Sequence, residues 1–283
     1  MRALILGAGG QIGRALGAAL PHADALPRAA LDIATAADAD LDWSAYDVVL
    51  NAGAYTDVDG AQTPDGRVAA WRANATGPSV LAGLAHRHGF TLVHLSSEYV
   101  FDGRSTAPYR EDDPPAPLSV YGATKAAGDL AVATVPGHYV VRPTWVVGEG
   151  RNFVRTMLGL AARGIAPTVV ADQIGRPTFA TDLAAGIVDL LTGAAPPGTY
   201  HLTNSGEPAS WADVARAVFA AVGRADLAVT DTTTADYFAD RPGAAPRPLN
   251  SVLDLGRARA HGIRLPDWRV ALAGYLARER DGS

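Results

Sequence analysis

A chain of 283 residues with 48% hydrophobic content can bury a substantial core, as one large domain or as two unequal ones. Its net charge of -5 argues against a broad nucleic-acid or anionic-membrane surface, because such surfaces need clustered Lys and Arg. The absence of cysteine excludes a disulfide framework, a thiolate metal site and a cysteine nucleophile, and fits a reducing, cytoplasmic setting.

The N-terminus carries only a short apolar run before its glycines, so it reads neither as a signal peptide nor as a membrane span. Residues 2–6 make a short buried strand, followed by Gly7-Ala8-Gly9-Gly10-Gln11-Ile12-Gly13 and a helical run over 14–20. Strand, glycine turn and helix in this order predict a dinucleotide site. Gly7, Gly10 and Gly13 let the backbone approach a pyrophosphate, and the helix opened by Gln11 and Ile12 points its N–H donors at it. A second strand is expected near 24–27. NAD-preferring folds often carry an acid at its end for the ribose 2′-hydroxyl, and this chain offers Pro27-Arg28 instead. Arg28 reads either as a ligand for a 2′-phosphate, which favours NADPH with NADH still usable, or as a solvated loop arginine. Asp32 and Ile33 are expected to border the adenine.

Residues 46–51 form a third buried strand ending in Asn51-Ala52-Gly53-Ala54-Tyr55, where small residues leave room for the middle of the cofactor. After a helical stretch over 68–72, Asn74 is expected to begin another helix. The fourth strand, 91–95, delivers Ser96-Ser97-Glu98-Tyr99-Val100-Phe101-Asp102-Gly103 to the carboxyl edge of the sheet, where ligands bind in such folds. Ser97 reads either as a hydroxyl for a substrate carbonyl or as a cap on the strand end.

A proline-rich loop (Pro114, Pro115, Pro117) then leads to Ser119, a candidate N-cap for the helix that carries Tyr121-Gly122-Ala123-Thr124-Lys125. Side chains four apart on a helix point the same way, so Tyr121 and Lys125 can share one reacting centre. A Lys ammonium about 4 Å from a phenol is worth up to ~4 kcal/mol at an effective dielectric of ~20. That predicts a phenol lowered by up to about three pH units from its free value of about 10. The strand at 139–141 ends in Arg142-Pro143-Thr144-Trp145, again at the carboxyl edge.

Beyond Gly150 the pattern changes. Asn152-Phe153-Val154 starts a helix, Asp172-Gln173-Ile174-Gly175-Arg176-Pro177-Thr178 sets polar groups among turn formers, and 182–191, 198–202 and 211–222 read as helix, strand and helix. Residues 225–250 are loop-like and hold Arg247. The seven histidines show no ligand spacing, so no catalytic metal is expected. The fold class is α/β: a Rossmann-type doubly wound parallel sheet over 1–148, with parts of 177–193 returning to it, and a smaller α+β substrate domain over 149–283.

These motifs resemble, nearly end to end, the extended short-chain dehydrogenase/reductase family and within it the dTDP-4-dehydrorhamnose reductases. The resemblance is carried by the glycine loop, by Asn51 to Asp59, by Ser96 to Gly103, by the Tyr121–Lys125 pair, by Arg142 to Trp145, and by the blocks 172–178 and 247–254. It implies a reduced nicotinamide cofactor and a dTDP-4-keto-6-deoxyhexose reduced at C4, with Ser97, Tyr121 and Lys125 catalytic. Tyr121 and Lys125 would also touch the cofactor, together with 7, 10–13, 28, 32–33 and 51–55. It further implies Glu98, Tyr99, Val100, Thr144, Trp145, Asn152, Phe153 and Gln173 near the sugar or base, and Arg247 near the pyrophosphate. The partner is the dTDP-sugar, with a homodimer as the possible assembly.

The chain departs from the family pattern where Ser97-Glu98 replaces Thr-Asp, Ala52-Gly53-Ala54 replaces three alanines, and Gln62 replaces an acid. Alternatives are a 4-ketoreductase of another deoxysugar, an epimerase or dehydratase of the same superfamily, and a non-catalytic relative such as the regulatory subunit of methionine adenosyltransferase.

Overall fold

The computed structural model describes residues 1–193 and 195–281. Its centre is set by short apolar runs with no polar face. Ala3–Leu6 (β1) is buried along its whole length, so it must be covered on both sides, as parallel strands are. It leads through the glycine turn into Gln11–Ala19 (α1), then Asp24–Leu26 (β2) and Val48–Asn51 (β3). Pro64–Trp71 (α2) and Gly77–His88 (α3) are joined by a π-helical turn over Arg72–Thr76. Asn74 therefore lies inside one long helical run instead of starting a helix. Its carboxamide accepts from Tyr55 N at 2.8 Å and donates to Tyr55 O at 3.0 Å and Thr124 Oγ1 at 3.1 Å. A π turn makes room for such an inserted side chain.

Thr91–Leu95 (β4), Val120–Val132 (α4) and His138–Arg142 (β5) complete the first part. After Val146–Val147 (β6), Phe153–Ala162 (α5), Thr168–Val170 (β7), Ile174–Gly175 (β8) and Thr178–Phe179 (β9), the chain returns in Ala180–Thr192 (α6) and Gly198–His201 (β10). Ala209–Ser210 (β11), Trp211–Ala221 (α7), Thr230–Thr232 (β12), Thr234–Phe238 (α8), Gly256–Ala260 (α9) and Trp268–Asp281 (α10) follow.

Six strands form one parallel sheet in the order β10-β5-β4-β3-β1-β2. Successive strand residues point to opposite faces. Ala3, Ile5, Val48, Leu50, Val93 and Val141 accordingly pack with Leu16 of α1 and Leu183, Ile187 and Leu190 of α6. Leu4, Leu6, Val49, Leu92 and Val140 pack with Leu81 and Leu84 of α3 and Val132 of α4. A third cluster, with Val154, Met157, Phe179, Val218, Phe219, Trp268 and Leu272, is the core of the smaller part. The strand at 198–201 pairs with β5 as the sixth member of the large sheet, which a division at 148 with a return limited to 177–193 does not anticipate.

A later segment, with Ala258 and Ile263, returns to the core of the large sheet, and the earlier passages between the two parts lie near 144, 178 and 203. Three buried threonines meet there: Thr203 Oγ1 lies 3.2 Å from Thr144 Oγ1 and accepts from Thr178 Oγ1 at 2.8 Å.

Candidate active site

The cofactor end is built from backbone. Gly7 has φ +77°, and a Cβ there would lie 2.5 Å from Gly53 N, so the turn admits only glycine. A Cβ on Gly13 would lie 2.2 Å from Gly7 O, which places its role in close helix–strand packing. Gly10 is the N-cap of α1 and supplies no side-chain cap, and no acid stands in the first turn. The first N–H groups of α1 and its positive dipole end are thus left for an anion, which fits a pyrophosphate. Gly10, Gln11 and Ile12 line the main cleft, of about 600 Å³. Gln11 Oε1 accepts from Gly148 N at 2.8 Å, tying the glycine loop to the β6 turn.

A side pocket of about 240 Å³ continues from the loop and is lined by Arg28, Asp32, Ile33, Ala52, Gly53, Ala54 and Arg72. It fits an adenosine end. An acid is present there after all: Asp32 pairs with Arg72 at 3.1 Å and is held below the usual carboxylate range by the Ala34 N–H and by Arg72. With Asp32 neutralised in this way, Arg28, exposed at the pocket, and Arg72 leave the rim cationic. Arg72 was not singled out by sequence reasoning, since nothing in the pattern of a helix C-terminus distinguishes it.

The reacting end rests on two elements. Ser119 Oγ accepts from Gly122 N at 3.1 Å and starts α4, setting Tyr121 and Lys125 one turn apart. Gly122 is needed because a Cβ would lie 2.2 Å from Tyr99 O, where the turn after β4 presses on the helix. That turn carries Ser97 and Glu98. Ser97 Oγ donates to Glu98 Oε2 at 2.7 Å, accepts from Tyr99 N at 3.3 Å, and is hydrogen-bonded with the Tyr121 phenol. Ser97 thus caps the turn that follows β4, through the Tyr99 N–H, and also stands beside the phenol. All four side chains line the cleft and are almost wholly buried.

Burial sets their charges. The Tyr121 phenol is raised above its ordinary value, first by burial and then by the Glu98 charge, and the Ser97 bond offsets only part of this. This corrects the expectation of a phenol lowered by Lys125. The Lys125 ammonium, donating to Leu95 O at 2.5 Å, is itself brought down to about 8 by burial, with Asp129 partly restoring it. Glu98 is pushed up to about 7 by burial. Behind Lys125, Asp129 accepts from Arg142 Nε at 3.0 Å, and His94 Nε2 lies 3.8 Å from its other oxygen. Burial and Lys125 depress His94 well below its ordinary value, so it stays neutral. Asp129 was not singled out, although its place four residues after Lys125 on one helix face was the available signal.

The substrate end is made of side chains. Trp145, with φ +41°, stacks on Trp211 at 3.8 Å and 17°, and Phe153 lies 4.6 Å from the Trp211 ring. Tyr99 meets Tyr121 edge-on at 5.3 Å. A second cavity of about 430 Å³ is lined by Tyr99, Phe153, Gln173, Trp211, Phe238 and Arg247. The carboxamide of Gln173 spans Trp211 Nε1 and Thr234 Oγ1. The Arg247 fork, expected to be free for phosphate, is held by Asp59 at 2.6 and 2.8 Å and lies 4.5 Å from the Phe238 ring centre.

Several expected site residues stand elsewhere. Val100 is buried among Phe101, Tyr109, Ala126 and Leu253, because the turn after β4 points it away from the cleft. Thr144 is spent on Arg176 O and Thr203, and Asn152 caps α5 through Arg155 N while donating to Gly148 O and Tyr275. Asn51 is bonded to His94 and Gly53 N at the end of β3. Tyr55 is held through its backbone by Asn74 and packs beside Ala61 and Ala70, outside the residues that line either pocket.

The fold and this cleft together place the chain among the extended short-chain dehydrogenase/reductases. Comparison with known proteins narrows the class. The family model of the RmlD substrate binding domain matches residues 1–280. The chain is 40% identical over 293 residues to the dTDP-4-dehydrorhamnose reductase of Aggregatibacter actinomycetemcomitans, covering 98% of each. It is 44% identical over 284 residues to a probable dTDP-4,6-dihydroxy-2-methyloxan-3-one 4-ketoreductase of Streptomyces antibioticus, covering 96% of this chain and 93% of the relative. The crystal structure of dTDP-4-dehydrorhamnose reductase from Bacillus anthracis in complex with NADP superposes with a TM-score of 0.86 at 32% identity, over 98% of both chains. The chain belongs to the dTDP-4-dehydrorhamnose reductase family.

Proposed function

We propose that this protein reduces the C4 ketone of a dTDP-4-keto-6-deoxyhexose at the expense of NADPH, converting dTDP-4-dehydrorhamnose to dTDP-L-rhamnose. The observation that carries the reading is the hydrogen-bonded set of Ser97, Glu98 and Tyr121, with Lys125 one turn away, buried where the glycine-loop cleft meets the Trp145–Trp211 wall.

Gly7, Gly10, Gln11 and Ile12 hold the pyrophosphate, and Arg28 with Arg72 receives the adenosine end and its 2′-phosphate. The bound cofactor supplies the hydride for the carbonyl carbon. Tyr121 supplies the proton for the carbonyl oxygen. Because burial and Glu98 raise the phenol, its acid form is the resting form across neutral pH, which suits a reduction. Ser97 holds the ketone oxygen. Lys125, charged below about 8 and anchored on Leu95 O, bonds the nicotinamide ribose and stabilises the phenolate that remains once the proton has left. Trp145, Phe153 and Trp211 face the sugar nucleotide, with Arg247 at its phosphates.

A second reading, favoured by the likeness to the Streptomyces antibioticus 4-ketoreductase, keeps the same chemistry on another dTDP-4-keto sugar. Purified protein mixed with NADPH and dTDP-4-dehydrorhamnose should consume the nicotinamide absorbance band. Loss of the band with other dTDP-4-keto sugars alone selects the second reading, and no loss with any of them overturns both.

A further inference from the structure

A serine hydroxyl has one hydrogen to donate, and an ionised carboxylate at hydrogen-bond distance claims it. With Glu98 ionised, Ser97 Oγ gives it to Oε2 at 2.7 Å and accepts the Tyr99 N–H at 3.3 Å, and the same hydroxyl touches the Tyr121 phenol, whose pKa the contact lowers. In this arrangement nothing is left on Ser97 to polarise a ketone. The family pattern that this stretch resembles carries Asp at the position of Glu98, and the additional methylene here lets the carboxyl fold back onto its own neighbour.

We propose, resting on the reduction described above, that Glu98 is a positioning residue acting through Ser97. Protonated, it donates to Ser97 Oγ and releases the serine hydrogen toward the ketone oxygen; ionised, it claims that hydrogen and withdraws it from the reacting centre. The exchange moves only hydrogens along an existing contact, so no bond between heavy atoms forms or breaks. The charged and titratable groups around Glu98 are Tyr99 on its own turn, Tyr121 and Lys125 on α4, and, beyond Tyr99, the Arg247–Asp59 pair. Tyr99 and Tyr121 are both raised above their ordinary values and remain neutral through the physiological range. Glu98, brought to about 7 by burial, and Lys125, brought down to about 8, are then the groups that change charge there. The protonated carboxyl is the competent form, so activity is fullest below pH 7 and declines as pH rises through it.

The experiment is the pH profile of kcat/KM for the keto sugar with the parent and Glu98→Gln, whose amide donates to Ser97 at every pH. The parent should fall by about tenfold or more between pH 6.5 and 8.5, and Glu98→Gln by about fourfold, the share left to Lys125. A Glu98→Gln profile that superimposes on the parent's, or a parent that stays flat over this range, overturns the proposal while leaving the reductase reading intact. Absence of turnover in the parent at every pH overturns the reductase reading itself. A second measurement is independent of turnover: the Glu98 carboxyl carbon, followed by NMR, should titrate near pH 7, and Ser97→Ala should move that titration upward by removing the donor to the carboxylate. A Glu98 that titrates near pH 4.5, or is unmoved by Ser97→Ala, overturns the coupling.

Discussion

The two ends of the cleft are made of different material. At the cofactor end the surface is main chain, from the glycine turn, the N-terminus of α1 and the end of β3, and a single Cβ at Gly7 would strike Gly53. At the substrate end it is a wall of side chains drawn from positions as distant as Asp59, Trp145, Trp211 and Arg247, each already stacked on or bonded to another. A backbone cradle has no rotamers to rearrange and accepts one kind of guest. A wall of stacked rings and a bonded arginine fork can be re-cut one residue at a time. The difference implies that reaction type and cofactor are held rigidly, while the sugar is chosen by the part most open to substitution.

The sharpest test lies where the two ends meet. Tyr121→Phe removes one hydroxyl from a buried ring and should lower kcat by ~10²–10⁴-fold with NADPH affinity preserved, measured by steady-state kinetics and cofactor titration. Next comes Gly7→Ala. The inserted methyl has only backbone to displace, so NADPH binding should fall by about a hundredfold or more in a protein that still folds, whereas Trp211→Ala should leave NADPH binding intact and raise KM for the sugar nucleotide. Equal effects of the two variants on cofactor affinity would erase the contrast.

Arg247→Ala should raise the sugar-nucleotide KM about tenfold, the scale of one charge-assisted hydrogen bond of roughly 1.5–3 kcal/mol. Asp59→Asn, which loosens the fork without deleting it, should have a smaller effect than Arg247→Ala. The mildest change is Arg28→Ala, which should raise KM for NADPH by a few-fold and leave NADH unchanged, since Arg28 is exposed and Arg72 shares its pocket. An equal loss for both cofactors would remove Arg28 from the 2′-phosphate.

How much of this was legible in the sequence follows the same contrast. The glycine turn, the strand that ends at Ser97 and the Tyr121–Lys125 spacing are local patterns, and local geometry is enough to aim them. Membership in a motif does not tell which way a residue points. Val100 and Thr144 sit in the middle of informative blocks and face inward, and Asn51 and Asn152 spend their carboxamides on strand and helix ends. The phenol departs from the expectation because proximity to Lys125 can be read from spacing, whereas the burial that outweighs it depends on the turn at 96–99, on Glu98 and on packing with Ala61 and Ala70. Trp211 and Arg72 lie in stretches without a spacing signal, and nothing in the block from Asn51 says that its last residue, Asp59, pairs with Arg247; only tertiary packing brings these together. The strand at 198–201 was visible as a strand, but its partner β5 lies about sixty residues earlier in the chain, and pairing at that distance leaves no mark in a single sequence.

The junction at Thr144, Thr178 and Thr203 bears on how this protein can be recombined. A chimera that exchanged everything after residue 148 for the tail of another reductase would import a foreign edge strand and a foreign covering helix, because β10 and α6 belong to the large sheet. Exchange therefore has to follow several separate segments, since Ala258 and Ile263 also return to that core, and the three threonines are a knot that each graft must retie. Replacing Thr203 by valine unties it without altering either core, and should free the smaller part to rock against the sheet.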